Sequence, residues 1–224
     1  MNDEKAIWRS LTIGPRSENR LRRVMWRVAS GLSELTGRTI TNHDPVVERV
    51  PIYQVTERAG DPEDKIVGIY LVMSGGLHGQ AILILPMTSA LNLADLMMGE
   101  EPGTATQLGF MEHSALSELG NMTVSCFLNG VAALDETPEL LRPSPPAVMV
   151  DMLGAILDVI VTPVAAVRDD LLIIDTPFRD HRRTVQGRFW VLPNPAIRDL
   201  TAHPSTTRGD TSWLRTSTPS PSGR

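Results

Sequence analysis

The sequence predicts an α+β fold built from two pseudo-repeated halves, each running helix–strands–helix and sharing one sheet. Two stretches, 17–35 and 108–134, place apolar residues at the 3.6-residue period of an amphipathic helix. Each is followed by short β-rich runs separated by turn residues. A hydrophobic content of 42% with only 4% aromatics, in 224 residues, is enough for a core of Leu, Val, Ile, Ala and Met.

Residues 1–16 end in Gly14-Pro15 and read as an extension, with Trp8 available to dock on the body. Leu21, Val24, Val28, Leu32 and Leu35 form the apolar stripe of the first helix, with Ser17 as its expected N-cap and Gly37 closing it. Strands are expected at 46–56, 65–73 and 79–85, with Asp61-Pro62 and Gly75-Gly76 as turns. A shorter helix, 89–98, ends at Gly99.

The second half repeats this order. The long helix 108–134 leads through a Pro-rich loop, 138–146, to a strand at 147–152. Residues 154–167 fit helix or strand, and Pro163 argues against one unbroken element. Strands at 171–178 and 185–192 follow, then a short helix opened by Asn194-Pro195. After His203 the chain is mostly Ser, Thr, Pro, Gly and Arg, the composition of a disordered tail. The domain reading is thus an extension (1–16), one domain (17–202, halves about 17–100 and 105–202) and a tail (203–224).

Composition narrows the function. A net charge of −5 lacks the basic footprint of a nucleic-acid binder. The polar start and the lack of a run of about 18 apolar residues lead to the expectation of a cytoplasmic protein with no membrane insertion. The single Cys126 falls on the apolar side of its helix, as a buried, reduced thiol would. His43, His78, His113, His181 and His203 have no metal-like spacing, so no metal site is expected. There is no P-loop and no G-x-S-x-G, and Gly75–Gly79 joins two strands as a hairpin turn.

The second long helix carries the most informative pattern. At about 100° per residue, Leu116, Leu119, Thr123, Cys126, Phe127, Gly130 and Leu134 share one side. Ser114, Glu118, Asn121 and Ser125, at i, i+4, i+7 and i+11, line an opposite ridge roughly 60° wide. A solvated face is usually filled with Lys, Arg and Glu, whereas Ser and Asn cost up to about 0.7 kcal/mol each against Ala. Either the ridge packs on a neighbouring element or it is chosen for a partner.

Ser114-x-x-x-Glu118-x-x-Asn121, followed by Ser144-Pro145-Pro146, resembles the signature of the CheC/CheX/FliY family of chemotaxis phosphatases, CheC most of all. Gly31-Leu32-Ser33-Glu34-Leu35-Thr36-Gly37, the 79–86 run and Phe189-Trp190-Val191-Leu192-Pro193 are similar to family segments, so the resemblance covers about 17–200. It implies a mainly antiparallel sheet with long helices on the surface. It also implies hydrolysis of the phosphoaspartate of a CheY-like response regulator. Asn121 would orient the attacking water and Glu118 would pair with the regulator's lysine, with Ser114 and Ser125 as interface contacts. The protein would need no cofactor of its own, and magnesium is expected on the regulator. A CheD-like deamidase is a further partner that the resemblance suggests. Pro145 and Pro146 are expected to set the entry of the next strand, Asp151 to make a structural hydrogen bond, and Gly120 to serve close helix packing.

The first helix does not repeat the motif. Aligned on Gly31, it has Asn19 where the Glu would be, Arg22 where the Asn would be, and Trp26 where the family tends to be small. This half reads as inactive. Arg16, Arg20, Arg22, Arg23 and Arg27 form instead either a solvated face or a docking patch for an acidic partner. The alternative for the whole protein is a non-catalytic regulator-binding adaptor or a flagellar-switch-like structural module.

Overall fold

The computed structural model describes residues 2–135 and 140–194. Its eight strands are β1 (Ile40–Asn42), β2 (Val46–Pro51), β3 (Lys65–Ser74), β4 (Gly79–Pro86), β5 (Arg142–Pro143), β6 (Ala147–Met152), β7 (Asp170–Asp180) and β8 (Gln186–Pro193). They form one sheet in the order β1-β7-β8-β4-β3-β5, with β2 also on β7 and β6 also on β3. Every pairing is antiparallel. The hairpins β3–β4 and β7–β8 meet through β4 and β8. Each half then gives a strand to the other: β2 runs along β7, and β6 along β3. The two expected halves are interlocked rather than placed side by side.

Among the described residues six α-helices cover the sheet. On one face lie α1 (Asn2–Thr12), α2 (Ser17–Thr36), α4 (Met87–Met97) and α5 (Phe110–Asp135), over a core that includes Leu21, Val24, Ile69, Leu71, Leu119 and Phe127. On the other lie α3 (Val55–Ala59) and α6 (Leu153–Ala165), over Ile66, Ile82, Ile84, Leu157 and Trp190. Alternation along the strands, period two, sends β3 residues Val67, Ile69 and Leu71 to the first core and Ile66 to the second. Among the described residues no helix is long and apolar enough to cross a membrane.

Four expectations change. The 1–16 segment folds as helix α1 over residues 2–12, burying Ile7, Trp8 and Leu11. Trp8 docks by donating its indole N–H to the His78 carbonyl at 3.1 Å. The 46–56 run is a strand only to Pro51; the Ile52 N–H still donates to the Asp169 carbonyl at 3.0 Å, and then a 3-10 turn and α3 carry Val55 and Ala59 into the second core. Residues 154–167 are helical, with Pro163 inside α6. That proline lies in the last turn, and the Val159 carbonyl it orphans belongs to a residue 60% exposed, within reach of solvent. Ser17 is not the cap of α2 but its first residue, with its hydroxyl donating to the Gly14 carbonyl at 2.7 Å.

Gly37 and Gly99 take left-handed φ values of 63° and 79° at the helix ends, as their positions suggested. The helix expected after Asn194 and the tail 203–224 lie outside the described residues, as does 138–139 of the Pro-rich loop.

Candidate functional site

Helix α5 is pinned on the sheet, at β3, by its small residues. A Cβ on Gly120 would lie 2.5 Å from Ile69 Cγ2, so the helix backbone rests directly on β3. Toward α2, a Cβ on Gly31 would meet Cys126 Sγ at 2.5 Å, and one on Gly130 would meet the Val24 Cα at 3.3 Å. Gly31 and Gly130 are the positions that the pseudo-repeat aligns, and the contacts run α2 antiparallel to α5. Burial and the Glu34 carboxylate both raise the Cys126 thiol pKa, keeping it protonated at neutral pH.

Gly120→Ala tests this seat. Ile69 is fully buried and β-branched on an inner strand, so it cannot swing away. Overpacking costs about 1–3 kcal/mol and the helix-propensity gain returns at most about 1. The expected result is a net loss of roughly 1–2 kcal/mol in chemical denaturation.

With Leu116, Leu119, Thr123 and Phe127 buried, the opposite ridge faces out. Ser114 and Glu118 are exposed, and Asn121 and Ser125 are half-buried. Ser114 to Asn121 covers about 10 Å of helix axis. Other hydroxyls of α5 bond back to their own helix: Ser117 to the His113 carbonyl at 2.9 Å and Thr123 to the Leu119 carbonyl at 2.6 Å. Among the described residues, Ser114, Glu118, Asn121 and Ser125 have no side-chain hydrogen bond or ion pair. No neighbouring element among the described residues engages the polar groups of the ridge, and Ser114 and Glu118 stand open to solvent. A carboxylate and a carboxamide held one turn apart on a rigid helix can pair with a cation and orient a water, respectively.

The first turn adds a feature that the polar pattern did not reveal. Phe110 and Met111 are 87% and 62% exposed, the former four residues before Ser114 and therefore on the same ridge. They are not frayed: the Gly109 N–H donates to Glu112 Oε2 at 2.9 Å and the His113 N–H to the Gly109 carbonyl at 3.0 Å. Extending the i, i+4 ladder one step back from Ser114 would have found Phe110. The loop before α5 is held by Asp95, fully buried, which accepts from the N–H groups of Gly103, Thr104 and Ala105 at 2.9–3.0 Å. Across the α2 end, Arg38 pairs with Glu101 at 3.4 Å.

The other sequence candidates are structural. Ser144 extends the edge of β3, donating its N–H to the Val72 carbonyl at 2.7 Å and accepting the Val72 N–H on Oγ at 2.9 Å. Pro145 and Pro146 then lead into β6. Asp151 accepts the Met152 N–H at 2.8 Å. Among the described residues no group of three or more His, Cys, Asp or Glu could hold a metal ion. On α2, Asn19 and Arg22 are exposed, and Arg22 pairs with Asp44 at 2.9 Å.

Comparison by sequence finds the protein named CheY-P phosphatase CheC from Bacillus subtilis (strain 168), 28% identical over 170 residues, covering 74% of this chain and 80% of that one. Among solved structures, FliY of Thermotoga maritima superposes with a TM-score of 0.63 at 21% identity, covering 84% of this chain and 93% of that one. The CheX–CheY–BeF3–Mg complex of Borrelia burgdorferi gives 0.52 at 14% identity, over 79% of this chain and 97% of that one. These two likenesses are likenesses of fold. No protein-family profile matches the chain.

Proposed function

Because the chain belongs to the CheC/CheX/FliY family, we propose that it is a phosphatase for a phosphorylated CheY-like response regulator. The observation that carries this reading is the unengaged Glu118/Asn121 pair on a helix seated rigidly over the sheet. Both the CheC relative, named as a CheY-P phosphatase, and the CheX structure solved with CheY support it.

In the proposed reaction a water oxygen attacks phosphorus in line with the aspartyl oxygen. The P–O bond to aspartate breaks, its electron pair returns to the carboxylate, and inorganic phosphate leaves with the water's oxygen. The regulator brings its own magnesium ion and lysine for the charge on the phosphoryl oxygens. What remains is to hold the water in place, which a neutral carboxamide can do without titrating. Asn121 takes that role, and Glu118 pairs with the regulator's lysine to fix the docked pose. Ser114 and Ser125 supply hydrogen bonds at the rim.

Phe110 and Met111 fit as the apolar part of the same docking face, since burying a side chain of this size is worth about 1.5–3 kcal/mol. Phe110→Ser is expected to raise KM for the phosphorylated regulator about tenfold, with kcat unchanged, because only binding is lost. A fall in kcat at unchanged KM would remove Phe110 from the docking face.

The function itself is tested by the lifetime of the phosphorylated regulator with and without the protein. Shortening by wild type supports the phosphatase. The second reading, a non-catalytic adaptor, is favoured by Arg22, which stands on α2 where the motif would have its Asn. It takes over if wild type binds the regulator and leaves the lifetime unchanged.

A further inference from the structure

Helix α2 carries a charged surface that the proposed reaction does not use. Arg16, Arg23 and Arg27 are exposed and, at about 100° per residue, fall within roughly 40° of one another, over about 16 Å of axis. None of them makes an ion pair among the described residues. Beside them Trp26 is 67% exposed, one turn after Arg22 and Arg23. Arg27 lies next to Gly130, nine residues beyond Asn121, so the patch sits about 13 Å along α5 from the proposed water-positioning residue.

Helix stability accounts for neither Arg16 nor Trp26. Cations are favoured at a helix C-terminus and opposed at the N-terminus. Here an arginine stands at the N-cap and the last turn contains no basic residue, with Glu18 as the acidic residue of the first turn. An exposed tryptophan in the middle of a well-formed helix likewise adds nothing to the fold. In a chain of net charge −5, these arginines make a local positive field that would attract carboxylates and repel cations.

We propose that this face of α2 docks an acidic protein segment, its carboxylates along Arg16, Arg23 and Arg27 and one apolar side chain laid on Trp26. Charge complementarity identifies the partner's chemistry. A bilayer surface fits less well, because it needs a broad apolar stripe and Trp26 is the large exposed hydrophobic on α2. Nucleic acid fits less well because the rest of the chain is acidic.

The probe is a fluorescein-labelled peptide of glutamates with a leucine at every fourth position, titrated with full-length protein by anisotropy. At about 50 mM salt, binding should be measurable and should weaken steeply as salt rises. Replacing Arg16, Arg23 and Arg27 by Gln should weaken it about thirtyfold, and Trp26→Ala about tenfold. These side chains are exposed, so circular dichroism and melting should match wild type. Phosphatidylglycerol vesicles, duplex DNA and self-association are measured with the same variants. The proposal is overturned if the peptide does not bind, if neither variant weakens it, or if one of those three depends on the same residues more strongly than the peptide does.

Discussion

Asn121→Ala should bind the phosphorylated regulator as tightly as wild type does and fail to shorten its phosphoryl lifetime, with kcat down on the order of 10²-fold. The size follows from the role. Misplacing a reacting group by about 1 Å costs a factor of that order, and alanine removes the only carboxamide on the ridge. Glu118→Ala should instead appear chiefly in binding. Truncating one partner of a desolvated charge pair costs about 2–5 kcal/mol, so its KM should rise by roughly 30-fold or more, and its association should depend less on salt. The pair of results separates positioning from docking within one turn of helix. Equal losses in both parameters for both variants would contradict the division of roles. So would an Asn121→Ala protein that keeps its rate.

Asp175→Ala is expected to have the largest effect on stability, a loss of about 3–5 kcal/mol measured by urea or thermal unfolding. Asp175 and Arg188 are each 1% exposed and joined by two hydrogen bonds, Nη2 to Oδ2 at 2.6 Å and Nε to Oδ1 at 3.1 Å. Arg58 also reaches Asp175, at 3.0 Å, and is itself paired with Glu48. Arg188 donates its remaining amine to the Arg58 and Ala59 carbonyls at 3.3 Å. The network ties α3 to the β7–β8 hairpin beneath it. Removing the carboxylate leaves a guanidinium buried without its counter-charge, which is costlier than losing the pair. The double variant Asp175→Leu/Arg188→Met should therefore recover most of the loss. A single variant within about 1 kcal/mol of wild type would show that water reaches Arg188.

The candidate site was legible because it lies on one helix. Within a helix the period alone decides which residues share a face, so the ridge of Ser114, Glu118, Asn121 and Ser125 needed nothing distant to be read, and Gly120 could be assigned to packing. Phe110 is equally local, but it is apolar and so stands outside the polar pattern that marks the ridge. The buried network was not legible: Arg58, Asp175 and Arg188 are far apart in the chain, and an Asp in a strand reads as a surface residue until its partner is known.

The same division holds for the fold. By itself the sequence determined the two long helices, the four inner strands and the order of the pseudo-repeat, since periodicity and turn residues are properties of neighbours in the chain. Only the tertiary structure decided where strand-like runs end and which half pairs with which. The 46–56 run leaves the sheet after Pro51 where Val55 and Ala59 turn into the second core, and 153–165 becomes a helix because its apolar side closes the same core. It also decided that β2 crosses to the second half and β6 to the first, which makes one interlocked sheet. Strand pairing is set by whichever edge is free after the hairpins have joined, and no local pattern records that.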